Sequence, residues 1–290
     1  VTMTALPAAL HAWGMHHLGA ARLQAVLDNA TVMSACVVFV HGRCLRNAHF
    51  HVSGLDHHQK IRVVLRGLNK PMGGDMTAYK LQLPGNGGLI FDYGGNIGIA
   101  AVTSYLRNTR HERSGCVRVV SVEPVPESYL FLRWNLIENG IPIIHNAGAA
   151  KCGVRALNVA ATHDGRNVTL AVGYRSMEAV IDGGGLAPEP NSPLRRYSVQ
   201  SITLGELLDE FKTPASDELD ILKLDCEGCE AEVLHELTSS PSLARRIQSV
   251  TGELHGCSRH LGRSVQLSCG SMAKYFRGQW NRTQNSLQLV

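Results

Sequence analysis

From residue 89 onward, short continuous apolar runs alternate with segments that repeat at helical spacing. Residues 89–92 predict a short buried strand running into the Gly-rich stretch Tyr93-Gly-Gly-Asn-Ile-Gly98. A helix follows, with Ile99, Val102, Tyr105 and Leu106 on its inward face. Residues 117–122 predict a second strand that ends at Glu123-Pro124. The next helix, 127–138, carries Leu130, Trp134 and Ile137 inward and closes on Asn139-Gly140, a left-handed cap. A third strand is expected over 156–162, with 167–174 pairing back through the turn at His163-Asp-Gly165. Residues 183–193, rich in Gly and Pro, read as a loop. Thr203-Leu-Gly-Glu206 is a capping box that opens a helix with Leu204, Leu207, Leu208 and Phe211 inward. Strands at 219–224 and 247–254 flank a helix at 230–237.

Apolar strands alternating with helices imply a parallel sheet covered on both faces. The expected fold is α/β: a doubly wound, mostly parallel, Rossmann-like sheet over 86–260, preceded by an α+β extension over 1–85 and followed by a tail, 261–290. The extension is less regular. It predicts one or two helices within 8–27 and short strands at 37–40, 61–65 and 79–84, and it is expected to cover the ligand side of the sheet. Ligands of such sheets lie beyond the carboxyl ends of the strands, at the switch point, so the chemistry is sought just after each strand.

Composition narrows the reading only a little. The 290 residues are 44% apolar and 18% charged, with net charge +4 and pI near 8.7, too weak and dispersed a basicity to indicate nucleic acid. The longest apolar run, 32–40, is about half the length of a bilayer span of about 20 residues, and no signal peptide is seen. The chain starts at Val1 rather than Met, which leaves room for a removed targeting segment; the expected location is cytoplasmic. Eight Cys in a chain this long are expected to be reduced. Cys226 and Cys229 form the close pair, but three acids crowd them and no second Cys/His pair is in register, so neither redox nor zinc chemistry is expected there. Of the 14 His, most fall before residue 60; His49/His51 and His57/His58 cluster without the spacing of a metal site. The sequons Asn167-Val-Thr169 and Asn281-Arg-Thr283 are of the kind that arise by chance.

The strand ends carry the candidate chemistry. Gly94, Gly95 and Gly98 suit a tight turn and close approach to a ligand, yet they depart from the G-x-G-x-x-G dinucleotide pattern, and Asp92 sits poorly beside a diphosphate. Glu123 suits a bidentate contact with two ribose hydroxyls. Together they point to a nucleoside-bearing cofactor without a required diphosphate. In Lys223-Leu-Asp225-Cys-Glu227-Gly-Cys-Glu230, Lys223 and Asp225 share a face and Asp225 is the partner nearest in sequence. Asp225 and Glu227 have the chemistry of a general base or of a divalent-cation site, while Glu230 reads as a first-turn helix acid. His255, after the last strand, could assist proton removal or bind substrate.

Residues 89–98, Val122-Glu-Pro124, Asn135 with Asn139, and 220–230 resemble the FkbM family of methyltransferases, over about residues 79–257. The most specific element is K-x-D-x-E-G-x-E, in which both cysteines fill variable slots. The resemblance implies a class I S-adenosylmethionine-dependent methyltransferase acting on a hydroxyl oxygen of a sugar, polyketide or similar small metabolite. It further implies that Asp92, Gly94, Asn96 and Gly98 shape the methionine end of the cofactor site, that Glu123 holds the ribose, and that Ala161 and Thr162 line the adenine. Asp225 and Glu227 would face methyl transfer, with a divalent metal as a further option that no clear motif supports. The expected partner is a small hydroxyl acceptor, without nucleic acid or a membrane span; oligomeric state is not legible. Two other readings are a catalytically inactive binding protein on this fold and a nicotinamide oxidoreductase, the latter disfavoured by Asp92 and the missing fingerprint.

Overall fold

The computed structural model describes residues 5–40, 43–53, 81, 83, 87–109, 115–145, 152–173, 179–181, 194–211, 218–254, 280–283 and 286–289. Two helices, α1 (Ala8–Leu18) and α2 (Ala20–Asp28), lead into an antiparallel hairpin, β1 (Ala30–Val40) and β2 (Arg43–Ser53). The alternating part begins with β3 (Gly88–Tyr93), α3 (Ile99–Asn108), β4 (Val117–Val122), α4 (Pro126–Glu138) and β5 (Gly153–Leu157). Short strands follow: β6 (Ala160–Ala161), β7 (Val168–Gly173), β8 (Ala179–Ile181), β9 (Leu194–Val199) and β10 (Ser201–Ile202). Then come α5 (Leu204–Phe211), β11 (Ile221–Leu224), α6 (Cys229–Ser239), α7 (Pro241–Arg245) and β12 (Val250–Leu254). A last hairpin comprises β13 (Trp280–Thr283) and β14 (Ser286–Leu289).

The main sheet runs β13-β14-β12-β11-β3-β4-β5. The five strands from β12 to β5 are mutually parallel, and β14 joins β12 antiparallel. From β3 the chain winds outward through β4 to β5, then returns to place β11 on the other side of β3. The switch point therefore lies between β3 and β11. The doubly wound expectation holds, and the tail adds the antiparallel edge.

Strand alternation divides the core in two. On one face Ile90, Val119, Ile221 and Val154 pack with Val102, Leu106, Leu130 and Trp134 of α3 and α4. Leu10, Leu23, Val26, Val37 and Phe50 belong to the same buried cluster, so residues 8–53 share one core with the sheet. On the other face Leu89, Phe91, Val120, Leu222 and Leu224 pack with Leu204, Leu207, Leu208, Val233 and Leu237 of α5 and α6. The capping box forms as read: Glu206 N donates to Thr203 Oγ1 at 3.1 Å and Thr203 N to Glu206 Oε2 at 3.0 Å. Gly140, at φ 63°, closes α4, with Gly140 N donating to Ile137 O and Ile141 N to Leu136 O, both at 3.0 Å.

Several expectations are corrected. The third sheet strand is Gly153–Leu157 rather than 156–162, and Ala160–Ala161 pairs instead with Ser201–Ile202. Residues 168–173 do not pair back onto that strand; they form the centre of a separate antiparallel sheet, β8-β7-β9. Local turn chemistry suggested the nearer partner, but Val168, Leu170 and Val172 bury against Val125 and Val199. The strand expected at 37–40 is the end of a longer one. Residues 61–65, 183–193 and His255 lie outside the described residues, as does most of 79–84; its Leu81 and Leu83 are buried.

The described cysteines are not reduced. They pair as Cys36–Cys44, Cys116–Cys152 and Cys226–Cys229. The hairpin brings the first pair together, and the second joins the residues just ahead of the neighbouring parallel strands β4 and β5. Among the described amino-terminal histidines, His51 has a structural role. His51 is buried, stacks on Trp134 at 3.8 Å between ring centroids, and pairs through Nε2 with Glu138 Oε2 at 3.2 Å. Burial, only partly offset by Glu138, holds its pKa below the usual histidine value.

Asn135 of α4 ties the extension to the sheet domain. Its Oδ1 accepts from His51 N at 2.5 Å, and its Nδ2 donates to Ile97 O at 2.8 Å and His51 O at 3.1 Å. Asn135→Ala leaves three buried backbone groups without this partner and is expected to cost about 3 kcal/mol, read as a lower urea midpoint at unchanged slope. A loss below about 1 kcal/mol would show that these groups find other partners.

Candidate active site at the strand ends

The site stands on a polar row crossing the sheet. Register places Lys223 of β11 beside Asp92 of β3, and Asp92 beside Ser121 of β4. All three are buried. Lys223 Nζ lies 2.9 Å from Asp92 Oδ1, and Ser121 Oγ donates to Asp92 Oδ2 at 2.8 Å. Asp225, the partner nearest in sequence, is farther, at 3.8 Å. Lys223 also donates to the carbonyls of Tyr93 at 3.3 Å and Gly94 at 3.0 Å. Burial works against its charge, but Asp92 and then Asp225 overcome that, so its pKa ends above the ordinary lysine value.

Those carbonyls open the turn at 94–98. Gly94 is held by its surroundings: at φ 80°, a Cβ there would meet Asp225 O at 1.8 Å. At Gly95 a Cβ would meet Ser121 Oγ at 2.2 Å. The glycines therefore answer to close approach of the chain to itself, at β11 on one side and β4 on the other. Gly94 N and Gly95 N both donate to Val122 O, at 3.0 and 2.9 Å. Asn96, at φ 48°, and Gly98, at φ 86°, complete the turn and start α3.

Glu123 closes the arrangement from β4. Its Oε2 accepts from Asn96 N at 2.7 Å and its Oε1 from Val125 N at 2.8 Å. Burial pushes its pKa up to about 7 despite those two N–H groups and the nearby Lys223. Asn158, beyond β5, donates to the carbonyls of Glu123 at 2.9 Å and Pro124 at 3.0 Å. Sequence reasoning missed Asn158 and Ser121; a polar residue at a strand end is the one signal that marked Asn158, and only register marks Ser121.

The third strand end is the turn 225–228. Asp225 N donates to Tyr93 O at 3.2 Å, and the Asp225 side chain is 26% exposed. Glu227 takes the left-handed conformation, φ 57°. Glu230, read from sequence as a first-turn acid, is more specific than that. Buried, it accepts from Cys226 N at 2.8 Å and Gly228 N at 2.7 Å, fixing the turn. Asp92, Gly94, Asn96, Gly98, Glu123, Asp225 and Glu227 thus lie on three adjacent strand ends linked by direct contacts.

Ala161 and Thr162 are placed differently. Both are buried; Ala161 belongs to the α5–α6 core, and the Thr162 hydroxyl meets Ser201 Oγ at 2.6 Å and accepts from Gly165 N at 3.1 Å. The shift of the third strand to 153–157 moves the strand end to Asn158. Among the described residues His163, Asp164 and Glu232 place possible metal-ligand atoms within 4.8 Å of one another. Arg166 bridges that cluster's two acids, 2.6 Å from each, so a guanidinium already balances their charge. Glu127, in the first turn of α4, gathers Arg22 of α2 with Arg195 and Tyr197 of β9.

The profile described as the methyltransferase FkbM domain matches residues 92–260. No curated protein matches the chain. Among solved structures, the chain is similar to the precorrin-6y C5,15-methyltransferase of Geobacter metallireducens GS-15, at 10% identity and a TM-score of 0.33, over 73% of this chain and 84% of that one.

Lys223→Met strands Asp92 as a buried charge and is expected to cost about 3–5 kcal/mol in chemical denaturation. Adding Asp92→Asn should recover a large part of that loss. A double variant no more stable than Lys223→Met alone would mean that the carbonyl contacts, rather than the charge pair, dominate.

Proposed function

The chain belongs to the FkbM methyltransferase family, and from that premise we propose that it transfers the methyl group of S-adenosylmethionine to a hydroxyl oxygen of a small metabolite such as a sugar or polyketide. The observation that carries this reading is Glu123: a buried carboxylate at the carboxyl end of β4, bonded directly to the glycine turn. Each of its oxygens accepts one backbone N–H, which leaves acceptor capacity for a ribose diol. The donor set fits the cofactor. Acids at the strand ends suit a cationic sulfonium and hydroxyl groups, and the turn departs from a diphosphate cradle.

The cofactor supplies an electrophilic methyl group. The protein's part is placement and proton removal. The turn at 94–98, backed by the Lys223 ammonium through the carbonyls of Tyr93 and Gly94, shapes the methionine end. In this reading Asp225, partly exposed on the adjacent strand end, and Glu227 accept the acceptor's hydroxyl proton. Among the described residues no helix is long and apolar enough to cross a membrane. The three disulfides favour an oxidising compartment over the cytoplasm.

Because Glu123 titrates near neutrality, its carboxylate form, the better hydroxyl acceptor, fills in as pH rises through about 7. Calorimetry with S-adenosylhomocysteine from about pH 6 to about pH 8.5 should therefore show affinity rising with pH, and Glu123→Gln should flatten the curve. Glu123→Ala should weaken binding at least about tenfold; binding as tight as wild type would refute the cofactor assignment.

The acceptor is sought by screening hydroxyl-bearing pools with methyl-labelled S-adenosylmethionine, with and without divalent metal. Against a hit, Asp225→Asn or Glu227→Gln should cut turnover about 100-fold or more while keeping cofactor affinity. Full activity in both variants would remove the proposed base.

A further inference from the structure

The turn that carries Asp225 and Glu227 is crossed by a covalent bond that its motif does not require. Cys226 and Cys229 are bonded to each other, and Glu227 and Gly228 are the two residues inside the loop they close. Glu227 is one of two described non-glycine residues at positive φ, 57°, and Gly228 follows at φ 131°. A side chain in the left-handed region stays there only where its surroundings impose it. Several contacts of this turn are identifiable. Glu230 accepts from Cys226 N and Gly228 N, Asp225 N is tied to Tyr93 O, and the disulfide joins the two ends of the turn. The Asp225 carbonyl also packs where Gly94 lacks a Cβ, which seats the Asp225 end of this turn against the glycine turn after β3.

We propose that Cys226 and Cys229 are a positioning pair for methyl transfer: their disulfide holds Glu227 in its left-handed conformation and so aims its carboxylate, making turnover depend on the oxidised state of this bond. This rests on the reading of Asp225 and Glu227 as the groups facing the acceptor. Reduction by a dithiol cleaves the Cys226–Cys229 bond to two thiols while the dithiol is oxidised to its own disulfide. The turn then loses its covalent closure, and the Glu230 clamp on the Cys226 and Gly228 amides opens more often. Catalysis by positioning is sensitive to such changes, since a misplacement of about 1 Å can cost about 100-fold in rate. The ribose contact at Glu123, on the far side of the glycine turn, is left in place.

The test uses the full chain in three forms: oxidised wild type, wild type treated with dithiothreitol, and Cys226→Ser/Cys229→Ser. Peptide mapping without reductant establishes the Cys226–Cys229 bond first; free thiols at both positions in protein folded under oxidising conditions would overturn the proposal. S-adenosylhomocysteine affinity should stay within about twofold across the three forms, which shows that each is folded. Hydrogen exchange of the Cys226 and Gly228 amides should speed up about tenfold or more in the second and third forms. With the labelled acceptor, kcat should fall about tenfold or more at nearly constant KM, and dithiothreitol should have no further effect on the double variant.

Unchanged exchange and unchanged kcat would overturn the positioning role. A dithiothreitol effect that persists in the double variant would assign it to other cysteines of the chain and overturn the proposal as well. Loss of methyl transfer from every acceptor, with binding and the exchange response intact, would instead count against the methyltransferase reading.

Discussion

A buried lysine cannot be placed without consequences, and Lys223 sets most of them for this fold. Its ammonium lies within the sheet, where an unpaired charge would cost several kcal/mol. Asp92 must therefore stand beside it on β3, and Ser121 beside Asp92 on β4. Three strands are pinned in one register by a row of polar contacts. The remaining ammonium hydrogens point to the carbonyls of Tyr93 and Gly94, so the charge that aligns the strands also shapes the first turn beyond them. An apolar replacement of the row could keep the sheet and lose the turn, which makes the row a specificity device more than a source of stability.

Above that row the strand ends form a continuous chain of contacts. Asp225 packs on Gly94, the glycine turn reaches Asn96, and Asn96 N meets Glu123. Asp225 N is bonded to Tyr93 O and Asn96 N to Glu123, so backbone groups that would otherwise need water are satisfied within the site itself. Glu123 sits at the far end, dry enough that burial outweighs two N–H donors and leaves it titrating near pH 7. Asn135 continues the chain in the other direction, carrying the Ile97 carbonyl of the glycine turn to the backbone of His51. The amino-terminal hairpin is thereby coupled to the site through one amide, and the crowd of histidines there resolves in part into packing: His51 spends its ring on Trp134 and Glu138.

Some features were legible in the linear chain because their physics is local. Five apolar strands alternating with helices determined the parallel doubly wound sheet, and the capping box at Thr203 and the Asn139-Gly140 closure needed only neighbouring residues. Glycines and acids placed after strands determined where the chemistry would be sought, since strand ends in such a sheet converge whatever the loops do. Other features depended on which distant residues meet. Asp225 is two residues from Lys223, but parallel register hands Lys223 to Asp92, more than a hundred positions away. The strand at 168–173 turned to its own small sheet because its apolar side chains found Val125 and Val199 there. Six cysteines expected to be reduced form three disulfides: hairpin and sheet geometry bring Cys36 to Cys44 and Cys116 to Cys152, and the turn at 225–228 brings Cys226 to Cys229. The sequence by itself determined the order of elements and the strand ends that matter; the tertiary structure alone decided the pairings, because a charge, a thiol or a strand edge is satisfied by what is near in space.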